Sequence, residues 1–151
     1  MTDLTLSSPA FDDGEPIPRR YGYTEDNVNP PLSISGVPEG AASLLLLVDD
    51  PDAVEPAGHI WDHWLVWDVD PDRATIPEDW SPDAAVEGQN DYGEQGYGGP
   101  NPPDGEHTYR FRLYALDTVL GLSAAATRDD VADAVGGHII EKDTLEGTYA
   151  P

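Results

Sequence analysis

Cysteine is absent from this 151-residue chain. The chain therefore offers no disulfide bond, no thiolate metal ligand and no cysteine nucleophile. Long apolar runs are missing as well, because no segment reaches the ~20 apolar residues that a membrane-spanning helix needs. Segment 1–20 is acidic and lacks the apolar stretch of a secretory signal peptide. These absences predict a cytoplasmic protein without a membrane span.

Positive charge is also scarce. Lysine and arginine number 7 against 30 aspartates and glutamates, so the formal net charge is -23 at pH 7. Such a surface repels the phosphates of nucleic acids and anionic membranes, and we expect no nucleic-acid partner. The composition suits a folded protein in a salt-rich cytoplasm, because the Debye length is only ~3 Å at 1 M salt and self-repulsion is screened. High charge also favours disorder, but four tryptophans and seven tyrosines indicate a folded chain.

Hydrophobic patterns predict a mostly β protein. Segment 43–50, SLLLLVDD, is a continuous apolar run of the length expected for a central strand covered on both faces. Segment 108–117, TYRFRLYALD, alternates apolar residues with arginines, as a strand with one buried face does. Further strand patterns cover 3–11, 32–36, 63–69 and 144–150.

One helix is predicted near the C-terminal end. Thr127 and Asp130 have the spacing of a capping box, with Asp in place of the usual Glu. Val131, Val135 and Ile139 then form an apolar stripe at helical spacing. Together with the strands, this predicts an antiparallel β-sandwich with one or two peripheral helices, in one domain over residues 1–151.

Polar residues that could bind a ligand or act in catalysis lie at the predicted strand ends. Asp50 ends the apolar strand, and His107 precedes the alternating one. His63 opens segment 63–69, whose alternation places it on the face of Leu65 and Trp67. The long Gly/Pro-rich segment 88–105 leads directly to His107, and loops of this length are usually functional or disordered. The convergence predicts a polar pocket at the edge of the sandwich.

A plainer interpretation of these residues stays open. Asp-Pro-Asp after a strand is ordinary turn chemistry, so Asp50 is also expected to cap a turn. A histidine beside tryptophans is more often a packed core residue than a functional one.

The glycines at 96–99 are expected to offer backbone N–H groups as an anion nest.

Three blocks of sequence carry a family resemblance. They are DDPDA at 49–53, WDHWLVW at 61–67 and NDYGEQGYGGPNPPDGEHTYRFRLYALD at 90–117. In this order they resemble the phosphatidylethanolamine-binding protein family, in particular its bacterial and archaeal Raf-kinase-inhibitor-like branch. The resemblance implies a β-sandwich with an anion pocket. Carried over residue by residue, the pocket consists of Asp50, His63, Pro103, His107 and Tyr109.

Some positions depart from the family pattern or have no counterpart in it. Val54 stands where the family often has proline after DPDA, which leaves the turn beside Asp50 in question. His59 and Asp62 do not map onto the pocket, and His138 is expected to be structural.

The resemblance implies non-catalytic binding of a small anion or phosphate-bearing headgroup, such as phosphate or phosphoethanolamine. We expect no cofactor and no metal. Whether the binding regulates another protein is left open. The first alternative is a small hydrolase that uses Asp50, His63 and His107, since two histidines and a carboxylate can also hold a divalent metal. The second is an inhibitor of a kinase or protease that acts through surface loops, as some family members do. A homodimer is left open.

Overall fold

Two antiparallel β-sheets make up most of the regular structure in the computed structural model, which describes residues 3–151. The smaller sheet has the strand order β1-β2-β5, and the larger has the order β6-β4-β3-β7-β8. The strands are β1 Thr5–Ser7, β2 Leu32–Ser35, β3 Ser43–Asp50, β4 Trp61–Val69, β5 Thr75–Ile76, β6 Val86–Glu87, β7 His107–Leu116 and β8 Ile139–Tyr149. Helices α1 Val54–Ala57 and α2 Arg128–Val135 complete the fold. The predicted fold class is confirmed.

The main apolar core lies between the two sheets. It joins residues of the smaller sheet, such as Leu6 and Ile34, to residues of the larger one, such as Leu46 and Phe111. A smaller cluster lies on the opposite face of the larger sheet, where Val131 of α2 packs. Strand β3 contributes to both clusters, so every one of its eight residues is buried. This double burial explains why its sequence is a continuous apolar run.

Strand β7 alternates as predicted. Tyr109, Phe111 and Leu113 are buried in the main core, whereas Arg110 and Arg112 lie on the other face and bind the carboxylate of Asp49. Strands β3 and β7 are neighbours in the sheet and pair in antiparallel register at seven residue pairs. The two strands therefore form a rigid centre from which the pocket residues project.

The C-terminal region differs from the prediction. The capping box of Thr127 and Asp130 is present, but α2 ends at Val135. Gly136 caps the helix with a non-helical ψ of 121°, and Gly137 follows with a positive φ of 79°, a conformation that glycine adopts readily. Ile139 is consequently not part of a helical stripe: it begins β8 and is 45% exposed.

Strand boundaries at the two ends of the chain differ as well. The first strand covers only residues 5–7 of the predicted 3–11, whereas β8 is longer than the predicted 144–150. The first half of β8 is largely exposed, so it has no buried face to impose a hydrophobic pattern. Its pairing with β7 extends from Tyr149 opposite His107 to Ile139 opposite Leu116.

A β-bulge interrupts β4 at His63. Val48 of β3 pairs with Trp64, but the next residue, Asp49, pairs with Asp62. His63 is the extra residue and has no partner of its own in β3. An inserted residue of this kind reverses the alternation of side chains along the strand.

Because of the bulge, the predicted direction of the His63 side chain in β4 is wrong. His63 was expected on the face of Leu65 and Trp67, but those two residues lie in the smaller outer cluster. The His63 ring instead lies on the inner face, with its centroid 5.2 Å from that of Tyr109. The alternation of apolar and polar residues in the sequence does not show where a strand has an extra residue. The alternation therefore predicted the wrong face for His63.

Candidate ligand-binding site

A cavity of about 230 Å³ opens at the end of the sandwich where β3, β4 and β7 meet. All five predicted pocket residues line it: Asp50, His63, Pro103, His107 and Tyr109. Trp61 and Tyr92 form further walls, together with small apolar residues of the segment that follows β3. The structure thus brings the predicted set together, while their role in binding a ligand stays a prediction.

The positions of these residues follow from the strand order. Asp50 is the last residue of β3, and His107 is the first of β7, which runs antiparallel beside it. Tyr109 follows two residues later on the same face of β7. The bulge directs His63 from β4 to this face, and the loop before β7 supplies Pro103. Three adjacent strands therefore hold the polar groups, and one loop closes over them.

His107 is held between two carboxylates. Its Nδ1 lies 2.6 Å from Oδ2 of Asp50, and its Nε2 lies 2.7 Å from Oδ1 of Asp104. Ionised carboxylates only accept hydrogen bonds, so the imidazolium form of His107 satisfies both contacts. Burial opposes this charge, but the hydrogen bonds and charges of Asp50 and Asp104 outweigh it and raise the pKa of His107 above its ordinary value. Burial in turn raises the pKa of Asp50, against the lowering effect of its hydrogen bond to His107.

Asp50 serves two purposes at once. Its Oδ1 accepts the backbone N–H of Asp52 at 2.9 Å, which caps the 3-10 turn Pro51–Ala53. The expected turn cap is therefore present together with the contact to His107. Val54 begins α1 directly after this turn, so the turn forms without a proline at that position.

His63 has the opposite protonation chemistry. Its Nδ1 donates to the carbonyl oxygen of Gly98 at 2.7 Å. Burial lowers the pKa of His63 to about 4, so the ring is neutral at pH 7 and its Nε2 carries a lone pair. The single N–H of His63 is used by the loop, so the ring, which lines the cavity, has only an acceptor left.

Two buried donors at the cavity lack a partner. The hydroxyl of Tyr109 and Nε1 of Trp61 are both buried and make no hydrogen bond of good geometry in the described part of the chain, although the Asp50 carboxylate and the backbone N–H of Asn101 lie close enough to the Tyr109 hydroxyl to act on its pKa. Burial also raises the pKa of Tyr109, so its hydroxyl keeps the proton. A buried donor left unsatisfied costs about 1–3 kcal/mol, and native structures rarely retain one without a ligand, an ion or water. Both side chains line the cavity.

Trp61, Trp64 and Trp67 stand close together in the sequence, a pattern typical of core and pocket-wall residues. Trp64 and Trp67 are core residues, each fully buried. The sequence gives no signal that separates a tryptophan with a free Nε1–H from one whose N–H is bonded, because the difference depends on the surrounding fold.

The predicted anion nest at 96–99 is wrong. The N–H of Gly98 donates to the carbonyl of His63, and the N–H of Gly99 donates to Oδ1 of Asn27. The N–H of Gly96 is used within the same loop. These donors fix the loop against β4 and the N-terminal region, so they are not free to bind an anion.

Aromatic rings build the rim of the cavity. Tyr92 stacks on Tyr23 with 3.8 Å between ring centroids and meets Trp61 edge to face. His59 stacks on Trp61 at the mouth, 3.4 Å from a carboxylate oxygen of Asp91. Sequence reasoning could not map His59, and the structure places it outside the cavity lining.

The remaining unmapped residues lie away from the cavity. His138 pairs with Asp117 at the surface, 2.7 Å apart. Asp62 faces outward beside Arg128, and burial raises the pKa of Asp62 to about 6.

Two further features of residues 3–151 bear on function. No group of three or more histidine, aspartate or glutamate side chains there is spaced to hold a metal ion. No helix in the same range has the length and apolar character needed to cross a membrane.

The fold is a two-sheet β-sandwich with a cavity at one end, and comparison with known proteins identifies its family. A model of the family described as "Phosphatidylethanolamine-binding protein" matches residues 7–150. The chain belongs to this family.

Relatives of similar length support the assignment. A UPF0098 protein of Methanothermobacter thermautotrophicus is 44% identical over 97% of this chain and 98% of its own length. A UPF0098 protein of Chlamydia trachomatis is 42% identical over the same shares of the two chains. A Mycobacterium tuberculosis protein named as a lipoprotein, LppC, is 41% identical over 97% of this chain and 72% of its own length.

Solved structures agree with the fold. A phosphatidylethanolamine-binding protein homologue from Chlamydia trachomatis superposes with a TM-score of 0.90 at 41% identity, covering 99% of this chain and 98% of its own. Escherichia coli YbcL, described as a new member of the mammalian family, has a TM-score of 0.90 at 29% identity, covering 98% of each chain.

Proposed function

We propose that the pocket binds a small anion or a phosphate-bearing headgroup and does not turn it over. The observation that carries the proposal is the pair of buried, unpaired donors, Tyr109 Oη and Trp61 Nε1, which line the same cavity as the imidazolium of His107. Charge-assisted hydrogen bonds are the strongest that an oxyanion can receive from such groups. In a chain of net charge -23, an anion must be held by local donors of this kind, since the overall field repels it.

His63 adds an acceptor to this set. Its neutral ring offers a lone pair from Nε2, and a lone pair suits a ligand that carries its own donor, such as a singly protonated phosphate group. The cavity therefore matches phosphate chemistry better than a ligand that only accepts hydrogen bonds.

Several observations support binding rather than catalysis. The cavity lining contains no serine, threonine or cysteine that could act as a nucleophile. His107 has both nitrogens on carboxylates, so it is not free to act as a general base. The hydrolase alternative would have to rely on Nε2 of His63, and the pKa of this ring, lowered to about 4, makes it a weak general base at pH 7.

The experiment is a calorimetric titration with inorganic phosphate and with phosphoethanolamine, in high salt and after exhaustive chelation. We expect saturable binding at one site per chain and no change in the ligand. Product formation would favour the hydrolase alternative, and loss of binding on chelation would indicate a metal. Failure of both ligands to bind would overturn the proposal.

Three broader predictions remain proposals. We propose that residues 1–151 form one domain, that the protein acts in the cytoplasm, and that its acidic surface is adapted to high salt. The relative named as a lipoprotein shows that location has to be tested separately. For the salt adaptation, circular dichroism should show cooperative loss of structure when salt is dialysed from molar to millimolar, because repulsion then extends over ~30 Å at 0.01 M. An unchanged spectrum would contradict it.

A further inference from the structure

Asp104 lies in the bend that leads into β7, between the cavity-lining residues Pro103 and His107. Its Oδ1 is 2.7 Å from Nε2 of His107, and its side chain is 51% exposed. Among residues 3–151 its carboxylate has no other hydrogen-bond partner than His107. The adjacent Gly105 has open space around it, with nothing within 4 Å of the position of an added Cβ. Pro103, Asp104 and Glu106 are exposed, so the Asp104 side chain has open solvent beside it.

Asp50, on the other side of the ring, is fixed. Its side chain is only 4% exposed, and its two oxygens bind His107 and the backbone N–H of Asp52. The two carboxylates thus differ in one essential respect: one is anchored in the fold and the other is held by a single contact at the surface.

His107 has no donor left for a ligand in this arrangement. Both N–H groups already point at carboxylates. An oxyanion that enters the cavity meets the side chains of Tyr109 and Trp61 in its lining, but it can receive the Nε2–H of His107 only from the position that the Asp104 carboxylate occupies.

We infer that Asp104 is an internal anion that caps His107 and that a phosphate-type ligand must displace it to bind. This inference rests on the proposed function of the pocket. The Asp104 carboxylate, three residues from His107 in the chain, competes with every ligand for the Nε2–H of that ring. An anion that contacts only His107 does not displace it, whereas an anion that also binds Tyr109 and Trp61 does.

Internal competition has a quantitative signature. When only the uncapped fraction of molecules can bind, the apparent dissociation constant of every ligand is raised by the same factor. Removal of the cap should therefore improve affinity by the same factor for phosphate and for phosphoethanolamine. If Asp104 instead met the ammonium group of the second ligand, its removal would weaken that ligand and not the first.

The test compares Asp104→Asn and Asp104→Ala with wild type by calorimetry at pH 6, where even an ordinary histidine is largely protonated. Glu106→Gln is the matched control, because it removes one negative charge from an exposed position two residues away. We expect each Asp104 variant to bind both ligands roughly tenfold or more tightly, as loss of a charge-assisted contact implies, and Glu106→Gln to change affinity less than about twofold.

The outcomes separate this inference from the proposed function. If wild type binds but the Asp104 variants bind equally or more weakly, the cap is refuted and the anion site stands. An equal gain in Glu106→Gln would also refute the cap, since the effect would then be one of overall charge. If no form of the protein binds either ligand, the proposed function fails and the cap fails with it.

As a second readout, NMR should show a lower pKa for His107 in Asp104→Asn than in wild type, with Glu106→Gln unchanged. An unchanged pKa in Asp104→Asn would mean that the contact is not formed in solution, and it would overturn the inference regardless of ligand.

Discussion

The two sides of the pocket have histidines with similarly small exposed fractions, 2% for His63 and 4% for His107. On one side His63 faces a backbone carbonyl, and burial keeps its ring neutral. On the other side His107 faces two carboxylates, and they raise its pKa. Depth and partners act together: His63 is enclosed by protein far more completely than His107 and meets only a neutral carbonyl, whereas His107 lies between two acceptors of negative charge. The result is a cavity with an acceptor on one wall and, on the other, an imidazole ring bound between two carboxylates.

The largest effect is expected on the charged side. His107→Gln removes the imidazolium and leaves Asp50 buried without its partner, so phosphate affinity should fall by roughly 1.5–3 kcal/mol, or about tenfold to more than a hundredfold. Breaking one partner of a buried ion pair is also destabilising, by about 3–5 kcal/mol. Calorimetry and thermal melts in high salt measure the two losses.

A double variant keeps this prediction interpretable. Asp50→Asn combined with His107→Gln removes both charges, so it should recover part of the stability but none of the phosphate binding. If His107→Gln folds and binds phosphate like wild type, the imidazolium has no role in the site.

The neutral His63 should make the free energy of unfolding depend on pH. The pKa of His63 is about 4 in the folded protein, against about 6.5 for a free histidine. The unfolded chain therefore binds the proton more readily, and stability should be lost as the pH falls from about 6.5 to about 4, by roughly 3 kcal/mol in total. The measurement is the unfolding free energy of wild type and His63→Gln across this range.

Only the difference between the two proteins is diagnostic. Asp62 has a pKa raised to about 6 and acts in the opposite direction, because its folded form takes up the proton first and gains stability as the pH falls. Since both proteins retain Asp62, its contribution cancels. Parallel curves for wild type and His63→Gln would mean that His63 titrates normally.

Removal of the Tyr109 hydroxyl should separate binding from stability. Tyr109→Phe deletes an unpaired buried donor, so phosphate affinity should fall by about 0.5–1.5 kcal/mol, the value of one hydrogen bond. The free protein should be as stable as wild type or more so, because no existing hydrogen bond is lost. Lower stability together with unchanged affinity would show that the hydroxyl is structural.

The smallest effect is expected far from the pocket. His138→Ala removes an exposed pair with Asp117, and exposed pairs contribute little, about 0–1 kcal/mol. Phosphate affinity should be unchanged within error. A clear loss of binding in this variant would mean that the histidine effects are not local.

Much of the fold could be predicted because local patterns report it. The burial of β3 on both faces and the alternation of β7 are written directly in their residues, and the capping box at Thr127 depends on two residues only. The first half of β8 was missed because it is an exposed strand, paired through its backbone and free of any apolar pattern.

The site could be predicted as a set of residues but not as chemistry. Resemblance placed Asp50, His63 and His107 in one pocket, and the strand order explains why they meet. What each ring donates or accepts depends on contacts made across the fold. The bulge at His63, the carbonyl of Gly98 and the carboxylate of Asp104 all decide this, and none of them leaves a periodic signal in the sequence.

The central claim, that the two histidines flank an oxyanion site, is tested most directly by NMR of the histidine rings during a phosphate titration in high salt. We predict that the ring signals of His63 and His107 shift together and saturate at a single dissociation constant, while those of His138 do not move. Equal, unsaturable drift of all the histidine signals, or no shift at His63 and His107, would contradict the claim.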